Sequence, residues 1–103
     1  MTDTLSFFAA HRCSAILRTP FAEAVAPAME AAVEGGFRAV EFTLTTPNAL
    51  EHIADFAARD GLLVGAGTVL EVAQVEAVAE AGASFVVSPV VDEAVIGLSL
   101  IHI

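Results

Sequence analysis

Lysine is absent from this sequence, as are tryptophan and tyrosine. The only cations besides histidine are Arg12, Arg18, Arg38 and Arg59, set against 13 acidic residues. A formal charge of -9 repels nucleic acid and anionic membrane surfaces alike, which argues against both as partners. Cysteine occurs once, so no intramolecular disulfide can form and a reducing compartment is expected. Cys13 sits in an apolar run and reads as a small buried hydrophobe. No apolar stretch approaches the ~20 residues of a membrane span, and no basic segment followed by an apolar one opens the chain. The expectation is one soluble, cytoplasmic domain of 103 residues.

Two chemical signals are also missing. His11, His52 and His102 share no metal-ligand spacing, so no metal site is expected. Gly65-x-Gly67 lacks the third glycine of a dinucleotide fingerprint, since Leu70 stands there. Nothing in the sequence implies a cofactor.

What is present is apolar material, 56% of the residues, ample for a core. The most informative stretch runs from Arg38 to Pro47. Read with a period of two, Val40, Phe42 and Leu44 share one face, and Ala39, Glu41, Thr43 and Thr45 the other. A solvent-facing side would carry more charge, and a core side would carry no Glu. The pattern suits a barrel strand whose apolar face meets helices while the other looks into the interior near a reaction site.

The rest of the chain supports a β/α order. Residues 3–11 read as a short helix with Leu5, Phe8 and Ala9 as its apolar side, and Cys13 to Leu17 as a strand. Thr19-Pro20 opens a helix to about Glu34, with Phe21, Val25, Met29, Ala32 and Val33 as its stripe, stopped by Gly35-Gly36. Thr46-Pro47 opens the next on the same pattern, with Leu50, Ile53, Ala54 and Ala57 inward. Leu62-Leu63-Val64 is a strand, the segment Gly65 to Thr68 its turn, and a third helix turns Val72, Val75, Val78 and Ala79 inward. Ser84 to Ser88 forms the fourth strand, stopped by Pro89. This alternation predicts βαβ units and a parallel sheet.

The notable polar residues fall at the carboxyl ends of the strands, where α/β folds place their sites. Glu41 reads as a general acid/base whose pKa burial would raise, or else as a paired structural carboxylate. Arg18 is either a salt-bridging residue at a strand end or, through its planar fork, a binder of a substrate carboxylate. Thr68 has a hydroxyl that would line the pocket; the glycines before it, taken alone, make a tight turn.

Four segments together resemble one family: Ala-Ile-Leu-Arg (15–18), Glu-Gly-Gly-Phe-Arg-Ala-Val-Glu-Phe-Thr-Leu-Thr-Thr-Pro (34–47), Val-Gly-Ala-Gly-Thr-Val-Leu (64–70) and Ala-Gly-Ala-Ser-Phe-Val-Val-Ser-Pro (81–89). They are similar to the 2-dehydro-3-deoxy-phosphogluconate / 4-hydroxy-2-oxoglutarate aldolases, collinearly from about residue 5 to residue 96. The resemblance implies a (β/α)8 barrel, usually trimeric, that needs no metal. It splits a 2-keto-3-deoxy sugar acid into pyruvate and an aldehyde through a Schiff base. Glu41 then looks like the proton shuttle, and Thr68 and Pro89 match residues lining the pocket. Where Thr45 stands, many members carry an Arg that grips the pyruvyl carboxylate; Arg18 is the substitute this sequence offers.

A closed barrel needs roughly 200 residues or more. The resemblance therefore implies four βα units plus a short N-terminal helix, the first half of a barrel, over residues 1–96. The Schiff-base lysine of the sixth strand would lie beyond Ile103. Residues 97–103 do not look like the family's continuation and are expected to be a non-native or truncated tail; the alternative for them is an extra strand. A second functional reading is a non-catalytic half-barrel that pairs with itself or with a partner half, because its end strands are left as open edges.

Overall fold

The structure, a computed structural model, describes residues 3–102. Helix α1 (Thr4–His11) is capped by the Asp3 carboxylate, which accepts from the Leu5 N–H, and Arg12 ends it in a left-handed conformation. There follow β1 (Ser14–Leu17), α2 (Ala22–Glu34), β2 (Ala39–Thr43), α3 (Ala49–Ala57), β3 (Leu63–Gly67), α4 (Val72–Ala81), β4 (Phe85–Val86) and α5 (Glu93–His102). The four strands form one sheet in the order β1-β2-β3-β4, every pair parallel. These are the βαβ units and parallel sheet that the alternation of elements predicts, and they form the first half of a (β/α)8 barrel, as the resemblance implies.

Val40 and Phe42 of β2 and Val64 and Ala66 of β3 face the helices. They pack with Val25 and Met29 of α2, Ile53 and Phe56 of α3, and Val75 and Val78 of α4. Each fully buried apolar side chain of this kind stabilises by about 1.5–3 kcal/mol, so this layer holds the sheet and its covering helices together.

Helix starts or buried faces differ from expectation in four helices. Thr19 does not cap α2 directly; its hydroxyl accepts from the Phe21 N–H in a local turn, so the helix begins at Ala22 and Phe21 is left exposed. Thr46 does not cap α3, because its hydroxyl is buried among other partners; Asn48, in a left-handed conformation, precedes the first turn. The delayed start rotates the buried face of α3 to Ala49, Ile53 and Phe56, leaving Leu50 and Ala54 exposed. On α4, Val75 and Val78 are buried but Val72 is exposed. Along α1, Leu5 lies in solvent, while Phe8 meets Phe85 of β4 and the helix also contacts β2.

Cys13 is exposed rather than buried, because β1 starts one residue later and is an edge strand with little packed upon it. The tail is not an extra strand. Residues 93–102 continue as helix α5, whose Val95 is buried and whose Leu98 packs on the core. Among the described residues, no helix is long and apolar enough to cross a membrane.

Candidate active site

Parallel register decides which side chains share a face. Ile16, Glu41, Gly65 and Phe85 stand in one cross-strand row, and Thr43 and Gly67 in the next. This face lies opposite the helix-covered one, as the alternation in β2 predicts. Glu41 is nonetheless only 5% exposed, and Thr43 is equally buried.

The glycines explain how a carboxylate fits there. Gly65 and Gly67 do not make a turn; both lie inside β3, on the Glu41 face, and neither has positive φ. A Cβ on Gly67 would stand 2.6 Å from Oε1 of Glu41 and 3.2 Å from the Thr43 methyl. A Cβ on Gly65 would stand 2.3 Å from the Phe85 ring. Both approaches are far inside van der Waals contact, so β3 supplies two dents that only glycine allows. One takes a ring and the other a carboxylate. The turn belongs to Thr68, at φ 58°. A β-branched residue held left-handed costs roughly 1–3 kcal/mol and persists only where its surroundings fix it.

Burial pushes the Glu41 carboxyl above the ordinary range, and among the described residues no charged neighbour contributes and no ion pair to Glu41 forms. A group of raised pKa can hold and release a proton closer to neutrality than an exposed Glu.

At the carboxyl ends of β1 and β2, three threonines form a chain of hydroxyls. Thr46 Oγ1 donates to the Leu17 carbonyl oxygen at 3.4 Å. The Thr46 and Thr43 hydroxyls lie 2.9 Å apart and those of Thr43 and Thr45 3.0 Å apart, and in each pair either oxygen can donate. The chain ties the two strand ends together. Thr46 is its buried centre, and sequence reasoning treats it only as a helix cap. The signal that could have found it is the row Thr43, Thr45, Thr46, too polar for a helix start alone.

Arg18 and Thr45 line one open depression with Thr19 and Pro20. Arg18 is exposed and forms no ion pair among the described residues. Thr68 is half-buried at the end of β3, and the two loops are joined by the Val69 N–H donating to the Val87 carbonyl oxygen at 3.1 Å. Pro89 is exposed two residues further along. A separate hollow between the starts of α3 and α4, lined by Leu44, Asn48, Ala49 and Gln74 among others, opens on the helix layer. His52 lies in that layer too, stacked on Phe42, and among the described residues no three His, Cys, Asp or Glu side chains come together to hold a metal ion.

Parallel βα units with a buried carboxylate on the uncovered face and polar residues at the strand ends define a β/α-barrel enzyme architecture. Comparison with known proteins gives the family. The KDPG and KHG aldolase profile matches residues 7–100, and the chain belongs to that family. A probable 2-dehydro-3-deoxy-6-phosphogalactonate aldolase of Rhizobium meliloti is 44% identical over 87 residues, 82% of this chain and 41% of that protein. The 2-keto-3-deoxy-6-phosphogluconate aldolase of Zymomonas mobilis, solved with 3-phosphoglycerate, superposes with a TM-score of 0.82 at 33% identity, over 96% of this chain and 47% of that one. The Legionella pneumophila KDPG aldolase, solved with pyruvate captured as a covalent carbinolamine, gives a TM-score of 0.79 at 31% identity, over 94% and 48%. The chain thus spans about half the length of the relatives it matches.

Proposed function

We propose that this chain supplies the acid/base and carboxylate-binding side of a class I aldolase. The reaction would be reversible cleavage of a 2-keto-3-deoxy (phospho)sugar acid, or of 4-hydroxy-2-oxoglutarate, to pyruvate and an aldehyde. The observation that carries the proposal is the buried Glu41 carboxylate lying in the Gly67 dent, raised in pKa without a charge partner.

A lysine amine attacks the substrate ketone and water leaves, giving a protonated imine that draws electrons from the breaking carbon–carbon bond. Glu41, through a water, takes the proton of the hydroxyl that becomes the aldehyde and returns a proton to the enamine carbon of the nascent pyruvate. Lysine is absent from these 103 residues, so the amine comes from outside them. The carbinolamine of the Legionella relative supports this chemistry.

The depression supports a place for the substrate carboxylate. Arg18 and Thr45 line it together, and a carboxylate, itself only an acceptor, would be held by the Arg18 guanidinium. Thr45, Thr68 and Pro89 complete the pocket wall. The full-length form would be a homotrimer, as the resemblance implies, and cytoplasmic, as the single cysteine suggests.

The test is reconstitution. Treated with pyruvate and borohydride, the chain alone keeps its mass. Co-expressed with the lysine-bearing second half of a related aldolase, it should cleave a keto-deoxy phosphosugar acid, and Glu41→Gln should lower kcat about 100-fold or more. An adduct on the chain alone, or an unimpaired Glu41→Gln enzyme, overturns the proposal.

A second reading is favoured by the sheet edges. β1 and β4 are unpaired on their outer sides. Apolar residues stand exposed at both, with Ile16 at β1 and Val87, Val90, Val91, Ile96 and Leu100 beside β4. A half-barrel that associates with a second copy or a partner half would cover them.

A further inference from the structure

We propose that Phe85 is a positioning residue for Glu41, a ring laid across the dent at Gly65 that excludes water from the carboxylate's side. The first support is the row itself. Glu41 and Phe85 stand on either side of Gly65, which has no side chain to separate them. Three ring carbons, Cδ2, Cε2 and Cζ, lie within 2.3–2.5 Å of where a Gly65 Cβ would be, so the ring leans from β4 over β3 toward β2.

The second support is an asymmetry. On its other side in the row Glu41 faces Ile16, which is 64% exposed and shields little, yet Glu41 itself is 5% exposed. Helix α1 also contacts β2, and on the β3–β4 side the Phe85 ring filling the Gly65 dent stands next to the carboxylate that lies over Gly67. The ring is held from above by Phe8 of α1, edge to face with centroids 5.2 Å apart, and the Thr4 hydroxyl of the same helix donates to the Ser84 carbonyl oxygen. Helix α1 thus has a task that its exposed surface conceals. It pins the ring that dries the carboxylate.

The catalytic meaning rests on the acid/base reading of Glu41; the physical coupling does not. Burial is the cause of the raised Glu41 pKa, and among the described residues no charged group on β1, β3, α1 or α3 contributes. Removing the ring should admit water and return the carboxyl toward ordinary behaviour.

The experiment is a carbon-13 NMR titration of the Glu41 carboxyl in the full 103-residue chain, assigned with Glu41→Gln. In Phe85→Ala the midpoint should fall by about half a pH unit or more, while Phe85→Leu, which still fills the dent, keeps most of the wild-type value. An unchanged Glu41 midpoint in Phe85→Ala overturns the proposal, as does an equal fall in Phe85→Leu. Should Phe85→Ala fail to fold, the wild-type chain decides: contacts between the ring protons and the Glu41 methylenes in a nuclear Overhauser spectrum support it, and their absence overturns it. These outcomes are independent of reconstituted cleavage, so failure here leaves the aldolase reading standing, and the converse holds too.

Discussion

Glu41 is held where its charged form is disfavoured, and that has a consequence for folding. A carboxyl whose folded pKa lies above its unfolded value binds its proton more tightly in the native state. Its contribution to stability is complete below the unfolded pKa of about 4.3 and is lost as pH rises through the folded value. Glu41→Gln should remove that loss, so the variant gains on wild type in denaturant melts at about pH 8 and not at about pH 4. Parallel pH profiles for the two proteins would contradict the raised pKa. Among the threonines, the buried centre matters most. Thr46→Val leaves Thr43 and the Leu17 carbonyl short of a partner and should cost about 1–3 kcal/mol, against ~0.5 kcal/mol or less for the exposed Thr45→Val. Urea melts of the two variants give the order, and a reversed order refutes the hydroxyl chain.

Among elements, β3 is the most constrained and α5 the least. β3 is buried along its whole length, and its two glycines meet a ring and a carboxylate. Gly67→Ala should therefore overpack the face and cost about 1–3 kcal/mol. Gly97 in α5 has nothing within 4 Å of a new Cβ, so Gly97→Ala should instead stabilise by about 0.5–1 kcal/mol through helix propensity. Thermal melts of both variants, compared with wild type, should move in opposite directions. The same contrast shows what the residues told in advance. The alternation in β2 placed Val40 and Phe42 against helices and Glu41 opposite, because period two is a local property of a strand. The glycines of β3 read as a turn, because a sequence does not say which neighbouring side chain will need their space.

For the whole molecule, the open edges dominate. A parallel sheet with unpaired outer strands and apolar residues at both lips should associate when no second half is present, and a stable contact needs roughly 1,000 Å² or more. The formal charge of -9 opposes it, so sedimentation should show dimers or larger species whose proportion rises with salt. A monomer at every concentration, with one cooperative melt, would count against the half-barrel reading and favour a chain content with bare edges.

By itself the sequence determined the βα order, the parallel sheet and the family. Each of these follows from periodicity, from turn chemistry or from motifs that are contiguous along the chain. Tertiary structure alone decided that Thr46 is a buried bridge and not a cap, that Cys13 faces solvent, and that Phe85, 44 positions after Glu41, shares its row. The reason is physical: register across three strands and contact through a missing Cβ arise between segments distant in sequence, and no local pattern encodes which of them will touch.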